Sequence, residues 1–106
     1  LSNSGRDLIY EYINSLPEAE KIDGYTVLQH MEKGEFDKIL FKRWEKKVYE
    51  VYFQKNNRVF YITVDKENIY LLHSCRKQKN KTEKKDANIV RKRAKELGNM
   101  LGRKFI

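Results

Sequence analysis

The sequence has little of what stabilises a small secreted protein or builds a membrane protein. Its 106 residues include one cysteine, Cys75, so no disulfide can form within the chain and a single core must supply the stability. Charges in the opening segment LSNSGRDLIYEYI interrupt the apolar stretch that a signal peptide needs, and the longest apolar runs are too short to cross a membrane. We therefore expect one cytoplasmic domain over residues 1–106 that makes no contact with a membrane.

Residues typical of metal-dependent or nucleotide-dependent enzymes are also scarce. His30 and His73 are isolated in the sequence, and Asp65 and Glu67 flank a predicted turn, where acids are common. The sequence has no glycine-rich phosphate loop and no serine in a nucleophile elbow. These absences argue against metal-dependent hydrolysis, and we expect neither a metal nor a cofactor.

Positive charge is concentrated in the last third of the chain. The net charge is +8, and residues 76–106 hold twelve Lys and Arg against three Asp and Glu. The first 75 residues are therefore close to neutral. Such asymmetry is typical of proteins that bind nucleic acid, although an acidic protein partner or a merely solvated basic helix fits it as well.

The hydrophobic pattern predicts an α+β domain. Apolar residues at helical spacing indicate helices over residues 6–15 and 18–34, and a third over 83–101 that Thr82 can cap. Between them VYEVYFQ, RVFYITV and NIYLLHSC have the composition of strands and are separated by short polar turns. We expect a three-stranded antiparallel meander, or a larger sheet, with helices covering one face.

The remaining chemistry is that of cations and phenols. RNA cleavage can proceed without metal, because the substrate's 2′-hydroxyl is the nucleophile and the protein supplies a base, an acid and cations around the phosphate. Cations crowd together in RKQKNK after the third strand, and Arg58 begins the second strand. Arg43, Lys46 and Lys47 lie in FKRWEKK, which is typical of a solvated connection, and Trp44 within it is interpreted as a core residue rather than a base-stacking one.

These segments resemble the RelE/HigB superfamily of bacterial and phage toxins, and in particular its phage-derived HigB-like branch. VYEVYF matches the branch's Tyr-Glu-Leu-Arg strand, RVFYITV its Tyr-Arg strand, and LLHSCRKQKNKT the Leu-Leu-His segment with its Lys-Lys and Lys-Thr pairs. SGRDLIYEYINSLP resembles the first helix of the branch. The family usually has a short strand before this segment, so we expect an edge strand to be missing here.

The resemblance implies a metal-independent endoribonuclease. Arg58 and Lys77 match residues that stabilise the scissile phosphate, and His73, Tyr52 and Lys79 are the candidates for proton transfer. The sequence departs from the family where Tyr52 replaces an arginine, Gln78 a lysine, Cys75 a phenylalanine and Glu83 a proline. The residues predicted to bind RNA are Arg43, Lys46, Lys47, Arg76, Lys81, Lys84 and Lys85.

Three functions follow from these observations. The first is a toxin of a type II toxin–antitoxin system that cleaves mRNA on the ribosome, with an acidic HigA-like or similar antitoxin as its protein partner. The second is a ParE-like toxin with the same fold that inhibits gyrase and cleaves no RNA. The third is a protein that binds RNA or the ribosome without catalysis.

Overall fold

The structure, a computed structural model, describes residues 2–54, 56–77 and 82–106, which form three helices and five strands. In chain order these are β1 (Ser2–Ser4), α1 (Arg6–Asn14), α2 (Glu18–Glu32), β2 (Leu40–Glu45), β3 (Val48–Phe53), β4 (Asn57–Thr63), β5 (Asn68–Arg76) and α3 (Lys84–Leu101). A 3-10 turn, Phe36–Lys38, precedes β2. No helix in the described ranges is long and apolar enough to cross a membrane.

The strands form one sheet in the order β1-β5-β4-β3-β2. The pairs β2–β3, β3–β4 and β4–β5 are antiparallel, and β1 pairs in parallel with β5. The predicted α+β class and the three-stranded meander are confirmed, and the sheet gains a strand at each edge. The prediction that FKRWEKK is a connection was wrong, because most of this segment lies in β2 and in its hairpin to β3. The first four residues of this edge strand are exposed, so it lacks the alternation of apolar and polar residues from which a strand is predicted. The expectation of a missing edge strand was wrong in part, because β1 occupies that edge.

The sheet carries helices on both faces, which corrects the expectation that they cover one face. Alternate residues of β3, β4 and β5 pack against α1 and α2, and the others pack against α3, because successive side chains of a strand point to opposite faces. The first core includes Ile9, Ile13, Leu28, Met31, Val51, Val59, Tyr61 and Leu71. The second includes Val48, Phe60, Ile62, Leu72, Val90, Ala94, Leu97 and Phe105. Trp44 packs edge-on against Phe60, so its interpretation as a core residue is confirmed.

The start of α3 differs from the prediction in its cap. Glu83, not Thr82, is the N-cap residue, and its side chain makes no capping hydrogen bond to the first turn of the helix. Thr82 Oγ1 is buried and has no hydrogen-bond partner among the described residues. The helix itself begins one residue after the predicted start and ends at Leu101 as predicted.

The C-terminal segment folds back over α3 at Gly98. The Arg103 amide donates to the Gly98 carbonyl at 2.9 Å, and Phe105 returns to the second core. A Cβ at Gly98 would lie 2.4 Å from the Arg103 carbonyl oxygen. We expect Gly98→Ala to lower the free energy of unfolding by about 1–3 kcal/mol, as overpacking does. Denaturant unfolding measures this, with Asn99→Ala on the exposed side of α3 as the control; a Gly98→Ala protein as stable as that control contradicts the prediction.

Candidate functional site

Five polar and charged residues gather where β3 ends and β4 begins, on the face of the sheet that carries α3. Strand register places Lys42 opposite Glu50 and Tyr52 opposite Arg58, and the residue after β5, Lys77, completes the group. Residues two apart on a strand share a face, so Glu50 and Tyr52 lie side by side. We name these residues, Lys42, Glu50, Tyr52, Arg58 and Lys77, the Glu50 cluster.

Glu50 is the centre of the cluster and is fully buried. Its Oε1 accepts a hydrogen bond from Lys77 Nζ at 2.9 Å and lies 3.6 Å from both Lys42 Nζ and Arg58 Nε. A buried carboxylate is tolerated when cations surround it, and here three cations face one carboxylate. The cluster therefore keeps an excess of positive charge after Glu50 is compensated.

The three cations differ in their access to solvent. The side chain of Lys77 is 4% exposed, that of Arg58 15% and that of Lys42 54%. The backbone of Lys77 is also fixed, because its amide donates to the Asn56 carbonyl at 2.9 Å. In this arrangement the Lys77 ammonium faces Glu50 rather than solvent.

Arg58 is held in one orientation by its neighbours. Its guanidinium lies over the Tyr52 ring, with Cζ 4.9 Å from the ring centroid, and its NH1 donates to the Asn57 carbonyl at 3.0 Å. Its buried Nε has no hydrogen-bond partner in the described part of the chain. The structure thus brings two of the predicted catalytic residues, Arg58 and Tyr52, into direct contact.

A buried polar network supports the start of β4 from the other face of the sheet. Asn57 is fully buried; it accepts a hydrogen bond from the Tyr12 hydroxyl and donates to Glu20 Oε1 at 2.9 Å. Arg76 also donates to Glu20, so this predicted RNA-binding residue is paired with α2 on the face opposite the Glu50 cluster. Burial raises the pKa of Tyr12, while nearby Arg76 lowers it, so the phenol stays a proton donor at neutral pH. This network ties α1, α2, β4 and β5 together beside Arg58.

His73, a predicted proton-transfer residue, has both ring nitrogens in contact with other side chains. Its Nε2 lies 2.9 Å from Asp86 Oδ1, its Nδ1 lies 3.5 Å from Arg93 NH1, and its ring stacks on Phe60. Because Arg93 can only donate, it favours the tautomer in which Nε2 carries the proton and donates to Asp86. Proton transfer between His73 and RNA would first require one of these contacts to break.

The same histidine belongs to the group of residues in the described ranges best placed to hold a metal. Ligand atoms of His73, Cys75 and Asp86 lie within 4.8 Å of one another. A metal at Nε2 needs that nitrogen unprotonated and its other ring nitrogen donating, whereas Arg93 faces Nδ1 as a donor. The hydrogen bonds of His73 to Asp86 and Arg93 therefore account for the closeness of these side chains, and the three residues do not fit a metal.

Cys75 is unsuited to act as a nucleophile. Burial, followed by the charge of Asp86, raises the pKa of its thiol from 9.0 to about 12. The folded protein therefore favours the neutral thiol. The free energy of unfolding is unaffected by ionisation of Cys75 below pH 9 and decreases as the pH rises from 9 towards 12, because the unfolded chain ionises more readily.

We expect the Cys75 thiol to react with iodoacetamide at pH 8.5 roughly 1000-fold more slowly in the native protein than in guanidinium chloride, because the thiolate is the reactive form and its fraction falls by about that factor. Mass spectrometry of quenched samples measures both rates. Equal rates in the two conditions would show that the native thiol is exposed and ionised.

The other predicted RNA-binding residues lie in two further places. Lys84 and Lys85 are exposed in the first turn of α3, where the helix dipole disfavours cations. Arg43, Lys46 and Lys47 lie towards the β2–β3 hairpin, at the opposite end of β3 from Tyr52. By strand geometry the Cα atom of Arg43 is about 11 Å and that of Lys47 about 17 Å from that of Tyr52. The structure therefore separates the predicted cations, and Lys79 and Lys81 fall outside the residues it describes.

Several residues of the site were not predicted. Lys42 and Glu50 lie in segments that were interpreted only as a connection and a strand, and Asp86 lies in the segment interpreted only as the third helix. For Glu50 the sequence did contain a signal, because an acid at an inward position of an otherwise apolar strand needs a partner of opposite charge when it is buried. That partner, Lys77, lies 27 residues away, so only the fold reveals the pair.

Comparison with known proteins adds a family. The family model described as "Phage derived protein Gp49-like (DUF891)" matches residues 11–95, which include the whole Glu50 cluster and the start of α3. A comparison with curated proteins finds no significant match.

Proposed function

Because this chain belongs to the family of phage-derived Gp49-like proteins, a family within the RelE/HigB-like toxins of toxin–antitoxin systems, we propose that it is a toxin that cleaves mRNA on the ribosome. The observation that supports this most is the placement of Arg58. Glu50 and Tyr52 hold its guanidinium in a cluster of net positive charge, beside a phenol and at the surface of the sheet.

The proposed reaction needs no metal. The 2′-hydroxyl of one nucleotide loses its proton to a base and attacks the adjacent phosphorus, which forms a 2′,3′-cyclic phosphate. The bond to the 5′-oxygen breaks, and an acid protonates that oxygen as it leaves. Charge on the phosphate increases towards the transition state, so a preoriented cation such as Arg58 accelerates the step.

Tyr52 is the proposed proton-transfer residue that the structure places in contact with Arg58. Its ring contacts the guanidinium, and its side chain is partly exposed. Lys79 and His73 remain proposed alternatives. A tyrosine that gives a proton to the 5′-oxygen requires the phosphate beside it, which Arg58 supplies by binding.

The proposed protein partner is an antitoxin, as the family implies. Lys42 is an exposed cation of the Glu50 cluster, and Lys84 and Lys85 are exposed at the start of α3. An acidic segment of a HigA-like antitoxin is complementary to these cations. Such a segment blocks RNA by occupying the same cations.

Induction of the protein in a bacterium, followed by primer extension on abundant messages, tests the proposal. We expect new 5′ ends within translated regions within minutes of induction, and none with Arg58→Ala expressed at the same level. Growth arrest with a DNA-damage response but no new ends would favour gyrase inhibition. Binding to ribosomes without new ends and without arrest would favour a non-catalytic protein, and either result would overturn the proposal.

A further inference from the structure

We propose that Lys42 and Arg58 form the phosphate-binding pair of this site, that Glu50 is the positioning residue between them, and that Lys77 serves as the buried counterion of Glu50. The inference rests on the proposed function only in taking single-stranded RNA as the ligand. Lys42 thereby gains a role in binding the phosphate and Glu50 a role in positioning the two cations. Lys77 neutralises Glu50 and does not contact the phosphate.

Exposure separates the two lysines. Both lie within 3.6 Å of the same Glu50 oxygen, yet the Lys42 side chain is 54% exposed and that of Lys77 4%. A phosphate that approaches from solvent meets the Lys42 ammonium without any rearrangement. To meet Lys77 it would have to break the 2.9 Å hydrogen bond to Glu50 and leave that carboxylate short of a buried partner.

Position on the sheet unites Lys42 with Arg58. Lys42 on β2 lies directly opposite Glu50 on β3, and Arg58 on β4 lies opposite the next residue of β3 on that face, Tyr52. Both cations therefore approach the same carboxylate from its two neighbouring strands. Lys42 Nζ and Arg58 Nε each lie 3.6 Å from Glu50 Oε1, so they are at most about 7 Å apart, a spacing that suits one phosphate or two adjacent ones.

Hydrogen-bonding capacity at the cluster is incomplete. Arg58 Nε is buried without a hydrogen-bond partner, although Glu50 Oε1 lies 3.6 Å away, and Glu50 Oε2 has no partner among the described residues. Glu50 thus orients Arg58 by charge at the buried Nε, NH1 donates to the Asn57 carbonyl, and NH2 makes no hydrogen bond within the described residues, so that NH2 is the donor left for a ligand. A guanidinium with free donors and a nearby ammonium is the usual chemistry for a phosphodiester.

The dependence of RNA affinity on salt counts the phosphates that each cation neutralises. For single strands the slope of log K against log [salt] changes by about 0.7 for each phosphate contact. The probe is a fluorescent oligonucleotide of 2′-O-methyl RNA, which cannot be cleaved because its nucleophile is blocked. Anisotropy titrations at five KCl concentrations give the slope for each variant.

We expect Lys42→Gln and Arg58→Ala each to reduce the slope by about 0.7, and Lys66→Gln, which removes an exposed lysine from the β4–β5 hairpin at the far end of the sheet, to leave it unchanged. Lys77→Met should keep the wild-type slope. If that variant fails to fold, Glu50→Gln/Lys77→Met, which removes both buried charges, replaces it and should also keep the wild-type slope.

A wild-type slope in Lys42→Gln, or a slope reduced in the Lys77 variants as much as in Arg58→Ala, would overturn the inference. Absence of salt-dependent binding by the wild-type protein would overturn it too. Salt-dependent binding with the expected slopes from a protein that produces no new 5′ ends in cells would support the phosphate-binding pair while the proposed cleavage fails, so the two proposals are judged separately.

Discussion

Lys77→Met is expected to lower the free energy of unfolding by about 3–5 kcal/mol, the usual result of removing one partner from a buried ion pair. Methionine is unbranched and only one atom shorter than lysine, so little packing is lost. The damage comes from Glu50, which stays fully buried and loses the 2.9 Å hydrogen bond from the Lys77 ammonium. Arg58 and Lys42 remain near the carboxylate, each 3.6 Å away, and place the expected value towards the lower end of the range.

The double variant Glu50→Gln/Lys77→Met separates charge from packing. Since it removes the buried carboxylate together with its counterion, we expect it to recover most of the lost stability. Urea unfolding of the wild type, the two single variants and the double variant gives the coupling energy of the pair. A coupling energy near zero would show that the two groups do not depend on each other in the folded protein.

Arg58→Ala is expected to reduce the rate of the proposed RNA cleavage by about 10²–10³-fold, the range found when a preoriented donor to a developing oxyanion is removed. Arg58 is held by three groups at once, namely the Tyr52 ring, the Asn57 carbonyl and the Glu50 carboxylate. Its position therefore costs little reorganisation when the substrate binds, which is why its loss should affect the rate rather than binding alone.

Arg58→Lys is the matched variant for this prediction. It retains the charge but loses the planar contact with Tyr52 and the forked donors, so we expect it to remain well below the wild-type rate. Single-turnover cleavage of a message on programmed ribosomes measures both variants, and thermal unfolding checks that each is folded. A wild-type rate for Arg58→Lys would mean that charge alone suffices and that orientation by Tyr52 has no role.

The sequence was sufficient for the central elements of the fold because their patterns are local. β3, β4 and β5 have the composition of strands, and α3 has a continuous apolar stripe, so each was predicted to within a few residues. β2 was missed because its first four residues are exposed, which removes the alternation on which strand prediction depends. That α3 lies on the opposite face from α1 and α2 is a property of the topology and has no local signal.

The candidate site was predictable to a smaller degree. Arg58 and Tyr52 were identified from their strands, and the structure places them in contact. The pairing of Lys77 with Glu50 and of Arg76 with Glu20 joins residues that are 27 and 56 positions apart, and a sequence pattern does not show which of its lysines and arginines are already neutralised. Net charge near the end of β5 therefore overstated the charge available to RNA.

The place of β5 in the sheet also determines the order in which the protein can assemble during synthesis. β5 lies between β1 and β4, so the N-terminal strand has no partner until Asn68–Arg76 has been made, and Glu50 has no buried counterion until Lys77 follows. Domains fold as units once the required segments have left the ribosome. The N-terminal half therefore waits for the last strand, and the Glu50 cluster is complete only after Lys77 has left the ribosome.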